Sequence, residues 1–504
     1  MVIPAMNYSI PTLKDFIARR IAILGLGISG RACVDVLVSK TEAIVGVWDS
    51  QTQAVEAYRD DSRVSYAYSD TDPERLLHSL VTWQPDVVVI SPGFPETGFE
   101  WATLRKHKIP VWSEIELAWR LRACDDDGVF APWLCVTGTN GKTTTVSMLA
   151  SILQSSPYAG VAVGNIGTPA VQEVSRTDDA APRAFAVELS SFQLAATHSM
   201  EPTAALCLNI DDDHLEWHGS RQAYWQAKAS IYERTQIACV YPVGDTDVQS
   251  MVDEADVCEG ARAIGISLGI PALGQLGMVE DIAIDRAFGD KYRREASELF
   301  ELADVKALGD QGIIPAHLVK DALAAAALAR SIGIEPAQVR AGLAAFRQGA
   351  HRIETVACVD GVEWIDDSKA TNAHAARASL LGRAEKSVVW IVGGLAKGAR
   401  FEQLVRDVEH VLGAVIVIGR DQEPWREALK ALTVPVYYVD VNAESPMDTA
   451  VEAAQRHICE NISSVVLAPA CASMDQFASY AQRGDAFAAA VHTRVAESKD
   501  GVQQ

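Results

Sequence analysis

A chain of 504 residues, 49% apolar and 22% charged, is long enough for about three domains of ~150 residues, each with its own core. Its 44 Lys+Arg against 66 Asp+Glu give a formal charge of −22, which argues against a nucleic-acid partner or an anionic membrane surface, although local Lys, Arg or Mg²⁺ can still hold a small anion. Nine cysteines without a CxxC pair, no signal pattern near the N-terminus and no apolar run approaching the ~18–20 residues that span a bilayer lead us to expect a cytoplasmic protein.

Residues 21–37 read as a strand entering Gly25-x-Gly27-x-x-Gly30, then a helix. A second strand, 43–48, ends at Asp49, 19 residues after Gly30, where a Rossmann unit places its ribose-binding carboxylate. Residues 86–93 form a buried-type strand ending in the Ser91-Pro92-Gly93 loop. The glycine pattern alone fits tight strand–helix packing as well as a nucleotide, and a nicotinamide dehydrogenase would also carry it. Cys124-Asp-Asp-Asp-Gly128 is acidic and turn-rich, and it closes a first domain, 1–128.

Residues 134–153 begin as an apolar run, pass through Thr137-Gly-Thr-Asn-Gly-Lys-Thr143 and continue as an amphipathic helix. Strand, glycine turn and helix N-terminus make a phosphate cradle. Backbone N–H groups face the anion, Lys142 adds a point charge, and Thr143 can offer its hydroxyl to Mg²⁺. The loop is a variant, because Val136 stands where the usual motif has Gly or Ala. Val163-Gly-Asn-Ile-Gly167 follows as a loop. Residues 185–194 read as a strand delivering Glu188 and Ser190 at its carboxyl end. Residues 205–218 read as a strand running into Asp211-Asp-Asp-His214, and a helix over 221–232 carries Lys228. Taken singly, Glu188 fits a cap, the Asp run a solvated turn, Lys228 a surface charge and His214 a loop or core histidine. Together they fall at one edge of a parallel sheet, where open α/β sheets bind ligands, and they supply the hard ligands that Mg²⁺ beside a triphosphate needs. Residues 261–315 are less periodic, with edge-strand character at 277–284. Helices are expected over 317–330 and 337–346, and Gly349 closes a second domain, 129–350.

His351-Arg352 opens the last domain, 351–504. Residues 355–358 and 362–365 read as a hairpin leading into Asp366-Asp-Ser-Lys-Ala-Thr-Asn372. Parallel-type strands follow at 387–392, 414–418, 434–439 and 464–468. Their ends carry Gly393-Gly-Leu-Ala-Lys397 and Pro469-Ala-Cys-Ala-Ser-Met-Asp-Gln-Phe477. This is a second dinucleotide-type αβα domain without GxGxxG. Arg352, Lys369 and Lys397 each fit an anion site or a surface charge.

Taken together, Gly138-Thr-Asn-Gly-Lys-Thr-Thr144, Gly164-Asn-Ile-Gly167, Glu188-Leu-Ser-Ser-Phe-Gln193, Asp213-His214 with Lys228, His351-Arg352, Asp367-Ser-Lys-Ala-Thr-Asn372 and Pro469 to Phe477 with Arg483-Gly-Asp485 resemble the Mur ligase superfamily, in its order and across all three domains. The Asp367-Ser-Lys-Ala-Thr and Ala472-Ser-x-Asp-Gln-Phe strings resemble its D-glutamate-adding branch. The shortened phosphate loop is a feature of the superfamily. The resemblance implies an α/β fold of three domains: a Rossmann-like UDP-binding domain, a P-loop ATPase-type αβα domain and a Rossmann-like αβα domain. It implies an ATP-dependent amide ligase of peptidoglycan precursor synthesis that joins D-glutamate to UDP-N-acetylmuramoyl-L-alanine through an acyl phosphate.

In that reading Gly138, Thr139, Asn140, Gly141, Lys142, Thr143, Thr144, Arg352 and Asp367 would meet ATP, and Lys142, His214, Lys228, Arg352 and Lys369 would serve catalysis. Thr143 and Glu188 would hold a first Mg²⁺ and His214 a second, with Lys228 as a carbamate partner. Ser29, Asp49, Ser50 and Ser91 would contact the uridine diphosphate. Asn165, Ser190 and Gln193 would line the substrate path, and Thr371, Lys397, Ser473, Met474 and Tyr480 would form the D-glutamate pocket. Neither nucleic acid nor membrane is expected as a partner, and nothing in the chain forces an oligomer, so a monomer is expected.

The chain departs from the family at Pro242-Val-Gly-Asp245 and at Leu318 and Asp321, near the adenine site of relatives. Ala468 replaces a common Ser. Three rivals stand beside the leading reading. A folylpolyglutamate synthase-like ligase would lack this kind of GxGxxG domain. A dehydrogenase would explain only the first third. A non-catalytic nucleotide-binding regulator would keep the fold.

Overall fold

The computed structural model describes residues 16–289, 296–308, 314–347, 351–396 and 398–500. It contains three open sheets with helices packed on them and divides into two compact units, Met1–Arg347 and Gln348–Gln504.

The first sheet comprises β1 (Arg20–Leu24), β2 (Ile44–Asp49), β3 (Val64–Ser69), β4 (Val87–Ile90) and β5 (Val111–Trp112). All pair in parallel in the order β3-β2-β1-β4-β5. β4 is Val-Val-Val-Ile and every residue is buried, as expected for a strand covered on both faces. The order reverses between β1 and β4, so the Gly25–Gly30 turn and the Ser91 loop meet at the switch point. Two of these glycines have a steric reason. A Cβ on Gly25 would lie 2.6 Å from the Ser91 Cβ, and one on Gly30 would lie 2.0 Å from the Gly25 carbonyl oxygen.

The second sheet comprises β6 (Trp133–Thr137), β7 (Val161–Gly164), β8 (Phe185–Glu188), β9 (Ala204–Cys207), β10 (Ala238–Pro242), β11 (Arg262–Ile266), β12 (Gln275–Val279), β13 (Ile282–Asp285) and β14 (Ser297–Glu301). Its order is β14-β13-β12-β11-β10-β9-β6-β8-β7. Strands β6 to β12 pair in parallel, and β12, β13 and β14 add an antiparallel edge. The edge-strand character expected at 277–284 is therefore a hairpin. Its last residue, Asp285, is fully buried and accepts Ala287 N–H, Phe288 N–H and the Arg330 Nε–H at 2.7, 2.9 and 3.0 Å. That ion pair fastens the edge to the Ala-rich helix Ala316–Ser331. Ala322 and Ala324–Ala327 of this helix are wholly buried, and their small side chains let it lie close against the helix Lys142–Gln154.

The first two sheets fall in one unit because they share a core that runs from Ile21 and Val89 through Trp112 and Trp119 to Trp133 and Phe185. The Trp119 and Trp133 rings meet edge to face at 5.2 Å.

The third sheet comprises β15 (Glu354–Val359), β16 (Val362–Asp366), β17 (Val388–Gly393), β18 (Leu412–Ile418), β19 (Val436–Tyr438) and β20 (Ser464–Leu467), in the order β15-β16-β20-β17-β18-β19. The hairpin β15–β16 is antiparallel and the remaining pairs are parallel. Among the described residues no helix is long and apolar enough to cross a membrane.

Candidate active site

β6 lies between β8 and β9 with Val136 opposite both Glu188 and Leu206, which brings the phosphate loop, Glu188 and the 208–214 loop to one sheet edge. Asn209 builds the loop's shape. Its side-chain oxygen accepts from the N–H groups of Thr139 and Asn140 at 3.0 and 2.9 Å, and its amide donates to the Asn140 carbonyl at 3.1 Å. The Thr139 hydroxyl meets the Tyr224 hydroxyl at 2.9 Å. Thr143 is half-buried in the first turn of the helix Lys142–Gln154, and Thr144 behind it is buried.

Two lysines converge on one carbonyl. Lys142 Nζ donates to Gly138 O at 2.7 Å and to Thr139 O at 3.0 Å, and Lys228 Nζ donates to Gly138 O at 2.8 Å. The sequence default of a solvent-facing Lys228 does not hold: the residue is 2% exposed. Its helix ends one turn earlier than expected, at Ala229, and continues as a 3₁₀ turn, Ser230–Tyr232. Burial, and next the neighbouring Lys142 charge, lower the Lys228 pKa to about 7.

Glu188 is 2% exposed. One carboxylate oxygen accepts from Asn165 Nδ2 at 2.9 Å, and the other, Oε2, is buried without a partner. An orphaned buried carboxylate oxygen at a phosphate-loop edge suits a cation. Among the described residues no three His, Cys, Asp or Glu side chains gather into a ready metal cluster. A cation at Glu188 would therefore complete its shell from Thr143, phosphate oxygens and water. His214 takes a left-handed conformation, φ +53, and its ring stands edge-on to Phe192 at 4.7 Å, with Nε2 3.5 Å from Asp213.

Ser190 and Gln193 form a capping box on the short helix Ser191–Leu194. Ser190 Oγ accepts Gln193 N–H at 3.2 Å, and Gln193 Oε1 accepts Ser190 N–H at 3.0 Å. Gln193 also lines a cleft of about 440 Å³, open mouth included, together with Ser29, Cys33, Ser91, Glu114 and Trp217. The Asp49 carboxylate accepts Leu26 N–H at 2.6 Å and Gln51 N–H at 2.8 Å, so it holds the Gly25–Gly30 turn. Ser50 beside it is exposed. Leu318, one of the departures near the expected adenine site, is a core residue. Asp321, on the same helix, turns its carboxylate toward Gly141, where a Cβ would lie 2.8 Å from it.

In the C-terminal unit Asp367 is buried and takes a hydrogen bond from Ser379. Burial raises its pKa to about 6, against the lowering effect of Ser379 and Arg352. Lys369 Nζ lies 3.9 Å above the Tyr480 ring. Thr371 N–H donates to Lys369 O at 2.8 Å, Ser473 is buried and Met474 is 63% exposed. Lys397 lies outside the described residues. Arg483 is wholly buried and donates to Ser368 Oγ, Ser368 O and Cys471 O at 2.9, 2.9 and 3.1 Å, joining the Asp367–Asn372 and Pro469–Phe477 loops.

Sequence reasoning assigned no role to Asn209, Glu114 or Asp366. Asn209 lies within the strand end 205–218 and is the easiest of the three to find from sequence. Glu114 carries no local signal, because it matters only where two helices distant in sequence meet.

A phosphate loop beside an orphaned carboxylate, a cleft at a parallel-sheet switch point and a further αβα unit are the parts of a nucleotide-using α/β enzyme. The family model described as Mur ligase middle domain matches residues 136–329, and that described as Mur ligase, glutamate ligase domain, matches residues 351–471. The chain is 44% identical over 486 residues to the UDP-N-acetylmuramoylalanine–D-glutamate ligase of Streptomyces coelicolor, covering 95% of this chain and 98% of that protein. It is 46% identical over 491 residues to the enzyme of the same name from Streptomyces avermitilis, covering 95% and 99%. The crystal structure of MurF ligase from Thermotoga maritima in complex with ADP shares the fold, with a TM-score of 0.52 at 15% identity over 96% of this chain and 97% of that one. The chain belongs to the Mur ligase family.

Proposed function

We infer that the protein joins D-glutamate to UDP-N-acetylmuramoyl-L-alanine with hydrolysis of ATP, in peptidoglycan precursor synthesis. Near-full-length relatives at 44% and 46% identity carry that activity in their names. The structural observation that carries the chemistry is Lys142 held in the phosphate loop at Gly138 O, on the same sheet edge as the orphaned Glu188 oxygen. That is the arrangement needed to gather phosphate charge and deliver it to a carboxylate.

The order of events follows from the chemistry. ATP phosphorylates the substrate carboxylate, the D-glutamate amine attacks the acyl phosphate, and a tetrahedral intermediate loses phosphate to leave the amide. Lys142 swings from the loop carbonyls to the transferring phosphate. The backbone of Gly138 to Gly141, with Thr143 and Thr144, holds the remaining phosphates, assisted by Arg352 and Asp367. Thr143 and Glu188 would hold one Mg²⁺ and His214 would hold a second, and such ions would supply neutralisation of phosphate charge. Lys228 serves as its carbamate: a pKa near 7 leaves a sizeable neutral-amine fraction to react with CO₂, and the product turns a cation crowding Lys142 into an anion.

We assign residues 1–128 to the UDP sugar, 129–350 to ATP and 351–504 to the amino acid. We assign Ser29, Asp49, Ser50 and Ser91 to the uridine diphosphate, Asn165, Ser190 and Gln193 to the substrate path, and Thr371, Lys397, Ser473, Met474 and Tyr480 to D-glutamate, with Lys369 serving catalysis. Asp49 supports the turn through Leu26 N–H besides any ligand contact. We read the enzyme as a cytoplasmic monomer. Phosphate release measured with UDP-N-acetylmuramoyl-L-alanine, ATP, Mg²⁺ and a panel of amino acids tests the reading. Turnover should require D-glutamate, and its absence in folded protein would refute the proposal.

A further inference from the structure

The C-terminal unit holds a histidine–carboxylate pair, His351 and Asp366, that phosphoryl transfer does not use. His351 sits in left-handed backbone, φ +64, and its N–H donates to Glu354 Oε2 at 2.9 Å. The ring Nδ1 lies 2.7 Å from Asp366 Oδ2, a carboxylate with no exposed side-chain surface. The other Asp366 oxygen accepts Ser368 N–H at 2.9 Å. Burial raises the Asp366 carboxyl, and the hydrogen bonds from His351 and Ser368 pull it back. The helix Tyr480–Asp500 makes room for the pair with Gly484. A Cβ there would fall 2.2 Å from His351 Nδ1 and 2.6 Å from Asp366 Oδ2.

Nε2 is the other ring nitrogen, and its nearest recorded neighbour is Asp485 Oδ1, 3.6 Å away on a 76% exposed side chain. The Tyr480 ring stands edge-on to the imidazole at 6.5 Å and carries Lys369 on its face. Asp367, Arg352 and buried Arg483 complete the charges around the pair. A buried carboxylate on one ring nitrogen, with no buried partner on the other among the described residues, is how an imidazole is oriented to receive a proton.

We propose that His351, oriented by Asp366, is the proton acceptor for the attacking D-glutamate amine. The proposal rests on the ligase reading above. D-Glutamate arrives as an ammonium ion, and Nε2 takes one proton to free the nitrogen lone pair. The C–N bond forms at the acyl carbon. The C–O bond to phosphate then breaks with its electron pair on phosphate, which leaves carrying the second N–H proton. The imidazolium returns its proton to solvent.

The test compares two nucleophiles. Hydroxylamine is unprotonated at neutral pH, needs no base and intercepts the acyl phosphate directly. The H351Q variant should lose D-glutamate-dependent amide formation on the order of 10²-fold or more, together with the acid limb of its kcat/KM profile for D-glutamate. Its hydroxylamine-dependent phosphate release should stay near wild type. Should H351Q fail to fold, D366N, which keeps an acceptor for the Nδ1 proton, should show the same split with a displaced acid limb. Full D-glutamate turnover in H351Q, or equal losses with both nucleophiles in folded variants, overturns the proposal. Failure of the folded wild type to release phosphate with D-glutamate would instead refute the ligase reading.

Discussion

Glu114 is a carboxylate held where it should prefer to be neutral. It opens the helix Glu114–Leu121 and is buried. Oε1 accepts Val171 N–H at 2.7 Å from the helix Ala170–Val174, while Oε2 is buried without a partner. Burial raises its pKa from 4.5 to about 7, against the lowering effect of the Val171 and Ala170 N–H groups. For an acid whose folded pKa is raised, the folded state binds more protons, so stability falls as pH rises from about 4.5 through about 7. At about 1.4 kcal/mol per pH unit of difference, the loss between about pH 5 and about pH 8 comes to roughly 2–3 kcal/mol. The E114Q variant keeps a carbonyl for Val171 N–H and removes the titration. Both side chains carry an unpaired polar group at low pH, so the informative quantity is the change in the gap between the two proteins. Urea unfolding followed by tryptophan fluorescence across this range should show E114Q gaining roughly 2–3 kcal/mol relative to wild type as pH rises. A gap that does not change with pH would refute the reasoning.

Lys142→Ala should lower phosphate release on the order of 10²-fold or more while calorimetric binding of the UDP substrate persists, because that ligand is assigned to the first sheet. Lys228→Ala should lose turnover and regain part of it with acetate or another short carboxylate, read by the same phosphate assay. Arg330→Leu strands Asp285, which has no exposed surface, beneath the edge hairpin. It should destabilise the chain by about 3–5 kcal/mol in urea unfolding.

Several features were legible because they are local. The alternation of apolar runs with glycine turns announces parallel strands and their loops, and Gly25 and Gly30 are required by contacts within one βα unit. The phosphate loop, the β15–β16 hairpin and the two long helices after residue 315 belong to this group. Ser190 and Gln193 were less fully readable. Their spacing is that of a capping box, which the structure contains, and only Gln193 also borders the cleft.

Residue types and short-range geometry in the sequence thus determined the strand–loop–helix units and the candidate ligands they carry. Only the tertiary structure decided how those groups behave. Lys228 is a surface lysine by its helix and a buried, weakly basic amine by the sheet it packs on. Asp366 is a strand-end acid until His351 and Gly484, the latter more than 100 residues away, close around it. Glu114 has no partner until the helix at 170–174 is laid against it. The physical reason is common to all three: charge and proton affinity depend on desolvation and on neighbours within a few ångströms, and those neighbours come from distant parts of the chain.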